Sequence, residues 1–283
     1  MEQIQNISEC FLYRKNCTGS VGFVPTMGAL HKGHLALIQK SLSACNNTIV
    51  SIFVNPKQFG KNEDLESYPK TIEKDVEKLR LLGVDCVFIP SALEMYSENH
   101  SLYIKETLLS KGLEEKSRPG FFSGVLTVVV KLFNLFQPTH VFFGQKDAQQ
   151  LFVVKKLISD LNYNIKCVSV PTVRNSYGLA LSSRNQHLSK KDQQNAANIY
   201  SGLLKVKGAL ELGENNVKNL LKIFKKHINQ GKNLKIDYLA FSNLQTLDDV
   251  GPIVNESVLI STAVYINSVR LIDNIVYTIE CPD

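Results

Sequence analysis

The sequence predicts an α/β fold: a parallel sheet with helices on both faces, followed by a second, smaller α+β domain that begins near Arg174. Three observations lead there. Short β-rich runs alternate with helical runs through the first 174 residues. One alternation, Val21 to Lys40, reads as strand, glycine-bearing loop and helix start. After Val173 the alternation gives way to two helical runs and then three strand-like segments.

The elements follow in chain order. An apolar run at Val21–Val24 predicts a strand, and the amphipathic run Gly33–Cys45 predicts the helix after it. Thr48–Val54, Asp85–Ile89, Thr139–Phe143 and Ile165–Val170 read as strands, with helices at Thr71–Leu82 and Ala148–Leu161. Gly124–Phe136 is ambiguous, because Val128, Val129 and Val130 favour strand by propensity. Its length and apolar spacing favour a buried helix, stopped by Pro138. A polar loop from Arg174 to Gly178 opens the second half. Helical runs at about Lys190–Leu212 and Asn216–Gln230 follow, the second after a stop at Gly213. Lys235–Phe241, Val258–Val264 and Val269–Ile279 complete the set as strands.

With 44% hydrophobic and 20% charged residues, the 283-residue chain has an ordinary globular composition. No apolar stretch approaches the roughly 18 residues that suggest a membrane helix. The opening MEQIQNISEC has neither a basic head nor an apolar block, so no secretion signal is expected. Six scattered cysteines without a C-x-x-C pair read as reduced thiols of a cytoplasmic protein. The formal charge of +6 suits anionic substrates. The densest basic segment, Lys222 to Lys235, is read as a solvated helix face in preference to a nucleic-acid contact, and no membrane or nucleic-acid partner is expected.

Four segments carry chemistry. In the first, Gly28 and Gly33 let backbone approach a ligand, and His31 and His34 stand three residues apart at a helix mouth. Exposed N–H groups and the helix dipole attract anions there, so the segment reads as a nucleotide-phosphate site. In the second, Asn55, Lys57 and Gln58 lie just past the carboxyl end of a strand, the edge where open α/β sheets bind ligands. In the third, Lys146 is a point charge suited to phosphate, Asp147 suits a ribose hydroxyl, and Gln150 lies one turn onward. In the fourth, Ser182, Ser183 and Arg184 read as a phosphate clamp, with Arg118 as another anion contact. Turn chemistry, capping serines and solvated charges remain the plainer alternatives for each segment taken alone.

In their order and spacing, PTMGALHKGH, SIFVNPKQF, SRPGFFSGV, KLFNLFQP, FFGQKDAQQL and GLALSSRN resemble the pantoate–β-alanine ligases, and RLIDN near the C-terminus matches too. The resemblance implies a Rossmann-like, doubly wound domain over residues 1–174, a smaller C-terminal α+β lid domain over 175–283, and a homodimer formed through the N-terminal domain. It implies ATP-dependent condensation of pantoate with β-alanine through a pantoyl adenylate, with magnesium on the triphosphate. His34 would be the proton donor, aided by His31, Lys146 and Arg184. Met27, Gly28, Ala29, Leu30, Lys32 and Gly33 would line the nucleotide with the two histidines. Gly144, Gln145 and Asp147 would hold ribose and phosphates beside Lys146, and Val173 would sit near adenine. Leu181, Ser182 and Ser183 would close over the phosphates with Arg184. Gln58 and Gln150 would hold pantoate, with Gln58 also near β-alanine; neutral amides orient a carboxylate without tight charge pairing. Thr26, Asn55 and Arg118 are additional contact candidates, and Asp75 is an outer-shell magnesium candidate. Gln145, Ala148, Phe121 and Tyr177 depart from the family's common pattern.

Overall fold

A computed structural model describes residues 1–60 and 65–279. In chain order the elements are β1 (Glu2–Ile4), α1 (Ile7–Asn16), β2 (Val21–Thr26), α2 (Lys32–Ala44), β3 (Asn47–Ile52), α3 (Ile72–Leu82), β4 (Cys86–Phe88), α4 (Ala92–Met95) and α5 (Leu113–Ser117). There follow α6 (Phe121–Phe136), β5 (His140–Gly144), α7 (Ala148–Asp160), β6 (Lys166–Val170), α8 (Lys190–Ala196), α9 (Asn198–Glu211), α10 (Val217–Ile228), β7 (Leu234–Asn243), β8 (Val258–Ile266) and β9 (Val269–Tyr277). The chain divides into two compact units: Met1–Gly144 with Gln149–Pro171, and Gln145–Ala148 with the chain from Thr172 onward. The short segment Gln145–Ala148 thus groups with C-terminal elements, whereas the sequence boundary at residue 174 assigns it to the first domain.

The first unit is built on a six-stranded, all-parallel sheet of order β1-β4-β3-β2-β5-β6. From β2 the chain winds outward through β3 and β4, then returns to the other side of β2 for β5 and β6. The direction therefore switches between β2 and β5, and such a switch leaves a crevice at the carboxyl ends of the strands. Parallel strands are covered on both faces and must be apolar throughout. Val21, Gly22, Phe23 and Val24 are accordingly all buried. On one face, Val24, Val50 and Val87 pack with Ile38 of α2 and Leu79 of α3. On the other, Phe136 of α6 stacks on Phe23 at 5.4 Å and meets Phe88 edge-on at 5.5 Å. Each buried phenylalanine contributes roughly 1.5–3 kcal/mol. Gly124–Phe136 is helical, as its length argues, and the helix starts earlier, at Phe121. Burial nearly all round it explains the valine run.

The sequence misses β1 and α1 for physical reasons. β1 has three residues and buries only Ile4. α1 buries only Cys10, so it carries no readable apolar stripe; Asn6 and Glu9 start it with a reciprocal capping box. α4 and α5 are too short to show a period.

The second unit contains an antiparallel β7-β8-β9 sheet and three helices around a core that includes Leu203, Val206, Leu220, Phe224, Ile260 and Val264. The expected single helix Lys190–Leu212 is two, broken at Ala197. There the Asn198 side chain donates to the Asn195 carbonyl at 2.8 Å and competes with the helical ladder. Five cysteines are free thiols, and Cys281 lies outside the described residues. Burial pushes Cys10 up to about 12 and Cys167 up to about 11, so both stay protonated at neutral pH. Among the described residues, no helix is long and apolar enough to cross a membrane.

Candidate active site

β2 ends at Thr26, and a tight turn leads from it into α2. Gly28 has φ +82 and Ala29 φ +50, two consecutive left-handed residues. Glycine alone enters that region without penalty. A Cβ on Gly28 would also lie 3.0 Å from Ile52 Cγ2. Thr26 is buried; its hydroxyl donates to the Ser51 carbonyl at 2.8 Å and accepts from the Gly28 N–H at 3.2 Å. Asp75, wholly buried on α3, grips the turn. Its Oδ2 accepts from the Ala29 N–H at 2.7 Å and the Thr71 hydroxyl at 2.9 Å, and its Oδ1 from the Leu30 N–H at 2.9 Å. Lys78 Nζ donates to the Leu30 carbonyl at 2.7 Å and lies 3.4 Å from Asp75 Oδ1. Asp75 thereby anchors the turn. Both of its oxygens are committed to the loop, and none of the side chain is exposed.

His31 caps α2. Its Nδ1 accepts from the Gly33 N–H at 3.1 Å, and His34 Nδ1 accepts from the His31 N–H at 3.3 Å. The rings lie 4.0 Å apart, centroid to centroid. A ring nitrogen that accepts carries no hydrogen, so these bonds assign both neutral rings the Nε2–H tautomer. The anion-binding expectation shifts with them. The N–H groups of Ala29, Leu30, His31 and Gly33 already serve the loop itself. The two rings bring their Nε2–H groups to the motif as donors. Lys32, on the first turn of α2, is exposed.

Past β3, Asn55 ties the Lys57–Gln58 segment to Gly124 of α6. It is 1% exposed. Its Nδ2 donates to Gly124 O at 3.0 Å and Gln58 Oε1 at 3.1 Å; its Oδ1 accepts from the Lys57 N–H at 3.2 Å and the Tyr96 hydroxyl at 2.8 Å. That uses its full hydrogen-bonding capacity. Burial, then Tyr103, pushes the Tyr96 hydroxyl up, which keeps its proton in place for Asn55. Gln58 Nε2 donates to Met27 Sδ at 3.1 Å, which ties this segment to the first turn. A thioether is a weak acceptor, so a carboxylate can displace it. Arg118 donates to the Gln58 carbonyl at 3.2 Å and stacks on Phe121 at 3.8 Å. Residues 57–60 and 118–121 line one pocket. A Cβ on Gly124 would collide with the Lys57 carbonyl oxygen, an approach only glycine permits. Gln150, half-buried on the first turn of α7, is not among the residues lining this pocket.

In the second unit, Gln145–Asp147 forms a 3₁₀ turn after Gly144. Asn274 Nδ2 on β9 donates to the carbonyls of Gln145 at 3.0 Å and Lys146 at 2.8 Å. Lys146 Nζ lies 3.3 Å from Asp147 Oδ1. Beside Asn274, Asp273 accepts from both terminal nitrogens of Arg174, at 2.5 and 2.8 Å. The Arg174 guanidinium lies 3.4 Å over the Tyr200 ring. The tight turn after Arg174 brings Val173 and Leu181 together, the Leu181 N–H donating to the Val173 carbonyl at 2.9 Å. Ser182 Oγ accepts from the Arg184 N–H at 3.3 Å and caps a 3₁₀ turn, the plainer alternative for that serine. Ser183 is buried.

A family model described as pantoate–β-alanine ligase matches residues 1–276. The chain belongs to the pantoate–β-alanine ligase family. It is 45% identical to the pantothenate synthetase of Thermosipho africanus over 276 residues, 98% of each chain. It also matches the crystal structure of pantothenate synthetase from Thermus thermophilus, with TM-score 0.91 and 38% identity over 97% of this chain and 99% of that one. A further match is a pantoate–β-alanine ligase from Francisella tularensis, solved with β-γ ATP and β-alanine, with TM-score 0.80 and 37% identity over 97% of both chains. These are enzymes of pantothenate biosynthesis, with the α/β architecture described above.

Resemblance to the pantoate–β-alanine ligases points to the two histidines but not to what holds them. Thr71, Asp75 and Lys78 are spaced four and three apart, which places them on one face of a helix. That spacing was the available signal. RLIDN gave a signal for Asn274 without a role. Phe121 stacks on Arg118, and the Tyr177 hydroxyl accepts from Gln194 Nε2 at 2.9 Å.

Proposed function

We propose that the protein joins pantoate to β-alanine in two steps that consume ATP. A pantoate carboxylate oxygen attacks the α-phosphorus of ATP. The bond to the β-phosphate bridge breaks, giving pantoyl adenylate and pyrophosphate. The β-alanine amine then attacks the acyl carbon and loses a proton, and the bond to AMP breaks. Transfer of this kind asks for positioning and charge stabilisation more than for a protein nucleophile.

The observation that carries this reading is the pair of Nε2–H imidazoles at the mouth of α2, set by their own capping bonds. His31 and His34 donate to the phosphates, and His34 meets the charge that grows as pyrophosphate leaves. Lys146 and Arg184 neutralise the same phosphates. Gly144, Gln145 and Asp147 hold ribose, and Val173 flanks adenine. Leu181, Ser182 and Ser183 cover the nucleotide. Gln58 and Gln150 orient the pantoate carboxylate, and Gln58 then serves β-alanine. The ATP and β-alanine named in the Francisella tularensis structure support both substrates.

No group of three or more His, Cys, Asp or Glu among the described residues is placed to hold a metal. Magnesium would enter on the triphosphate, held by phosphate oxygens and water, and would supply charge neutralisation there; the roles assigned here use the chain's own side chains. In this reading residues 175–283 act as a lid that keeps water from the adenylate. The protein is a cytoplasmic homodimer. The test is to mix protein, ATP and pantoate with and without β-alanine. AMP stoichiometric with amide, formed only with the amine present, is the expected outcome. Amine-independent AMP formation at the same rate would overturn the reading.

A further inference from the structure

We propose that Asp75, supported by Thr71 and Lys78, is the positioning residue of the phosphate-binding turn. It acts by holding Met27–Leu30 in the one backbone conformation that aims His31 and His34. The inference rests on the ATP reading of those histidines. Three observations carry it. The turn contains two successive left-handed residues, one of them the non-glycine Ala29. Such a conformation persists only where surrounding structure fixes it. Asp75 supplies that constraint by taking the N–H groups of Ala29 and Leu30, one on each carboxylate oxygen. Lys78 takes the Leu30 carbonyl, so that residue is gripped at both its N–H and its C=O.

The arrangement also settles an electrostatic conflict. A carboxylate next to a triphosphate site repels the ligand unless its charge is met locally. Here two N–H groups, a hydroxyl and an ammonium 3.4 Å away meet it, and no water reaches it. Asp75 touches neither substrate in this account. It acts through His31, which follows Leu30 directly.

The experiment compares wild type with Asp75→Asn and Lys78→Met, and runs His34→Ala in parallel. Amide hydrogen exchange is followed at Ala29 and Leu30, and KM for ATP and for pantoate in pyrophosphate release. The asparagine keeps the shape but replaces one acceptor oxygen with an amide NH2 that opposes a donor. Exchange at Ala29 and Leu30 is expected to rise at least tenfold. KM for ATP is expected to rise about tenfold, with KM for pantoate within twofold. Lys78, partly exposed, is expected to fold without its ammonium and to show a threefold to tenfold rise in ATP KM. Should Asp75→Asn not fold, Lys78→Met carries the test. Unchanged exchange at both amides, or equal rises in both KM values, overturns the positioning role. An ATP KM unmoved in Asp75→Asn despite faster exchange also overturns it if His34→Ala is impaired. If His34→Ala is unimpaired as well, the ATP reading is what fails.

Discussion

The turn after β2 and the turn after β5 are secured by opposite chemistry. Asp75 holds the first through its N–H groups. Asn274 holds the second through its carbonyls. A carboxylate is an acceptor only, so it consumes backbone donors and adds a negative charge; the side chains must then supply what an anion needs. Two imidazoles do so at His31 and His34. An amide nitrogen donates only and adds no charge, so the backbone anchor of the Lys146 turn brings no negative charge of its own, and Lys146 pairs with Asp147 in the same turn. The first turn thus presents ring N–H donors from a backbone fixed by a carboxylate, and the second a lysine from a backbone fixed by an amide. Placing imidazoles on the rigid turn and the lysine on the other suits their demands: hydrogen-bond direction matters for a ring N–H, and distance alone governs a point charge.

The sharpest break in this contrast is His34→Ala. It removes an imidazole donor and the acceptor for the His31 N–H together. Pyrophosphate release without β-alanine is expected to slow about 100-fold, roughly 2.7 kcal/mol of barrier. Single-turnover rates at wild-type level would refute the role. Second is Asn274→Asp. It sets carboxylate oxygens against the two carbonyls the amide now serves, close to Asp273. Urea unfolding should show a loss of about 2–4 kcal/mol, against about 1–2 for Asn274→Ala. Equal losses for the two variants would mean that the amide's hydrogens are not what holds the turn.

Much of the fold was legible because parallel strands buried on both faces are apolar without interruption, as Val21–Val24 is. What hid was local. α1 buries one residue and shows no stripe. The break at Ala197 depends on an asparagine side chain reaching a carbonyl, which no apolar pattern records. At the site, the histidine pair was visible from spacing, but its tautomers were not, since they follow from which N–H each ring accepts. Asp75's grip on the turn was hidden as well, because its two backbone donors, Ala29 and Leu30, lie more than forty residues away in the chain.

Gly28→Ala probes the strain on the first side of the comparison. The new Cβ must take φ +82 and press on Ile52. A loss of about 1–2 kcal/mol is expected, read as a lower Tm, with ATP KM rising more than pantoate KM. If stability falls while the two KM values rise together, the turn's conformation matters to folding alone.

The smallest effect tests how far the second anchor extends. Arg174 holds Asp273 with two parallel bonds and covers Tyr200, and Asp273 Oδ1 in turn accepts from the Asn274 N–H at 2.8 Å. Arg174→Lys keeps the charge but loses the planar fork and the stacking. A loss of about 1 kcal/mol is expected, on the scale of a cation–π contact with one charge-assisted bond. If the chain runs from Tyr200 through Arg174 and Asp273 to Asn274, the effects of Arg174→Lys and Asn274→Ala will not add. The double variant should lose less than the sum of the two, because each slackens the same tether. Strict additivity would confine the anchor to Asn274 itself and make Arg174 a separate brace for the turn that joins Val173 to Leu181.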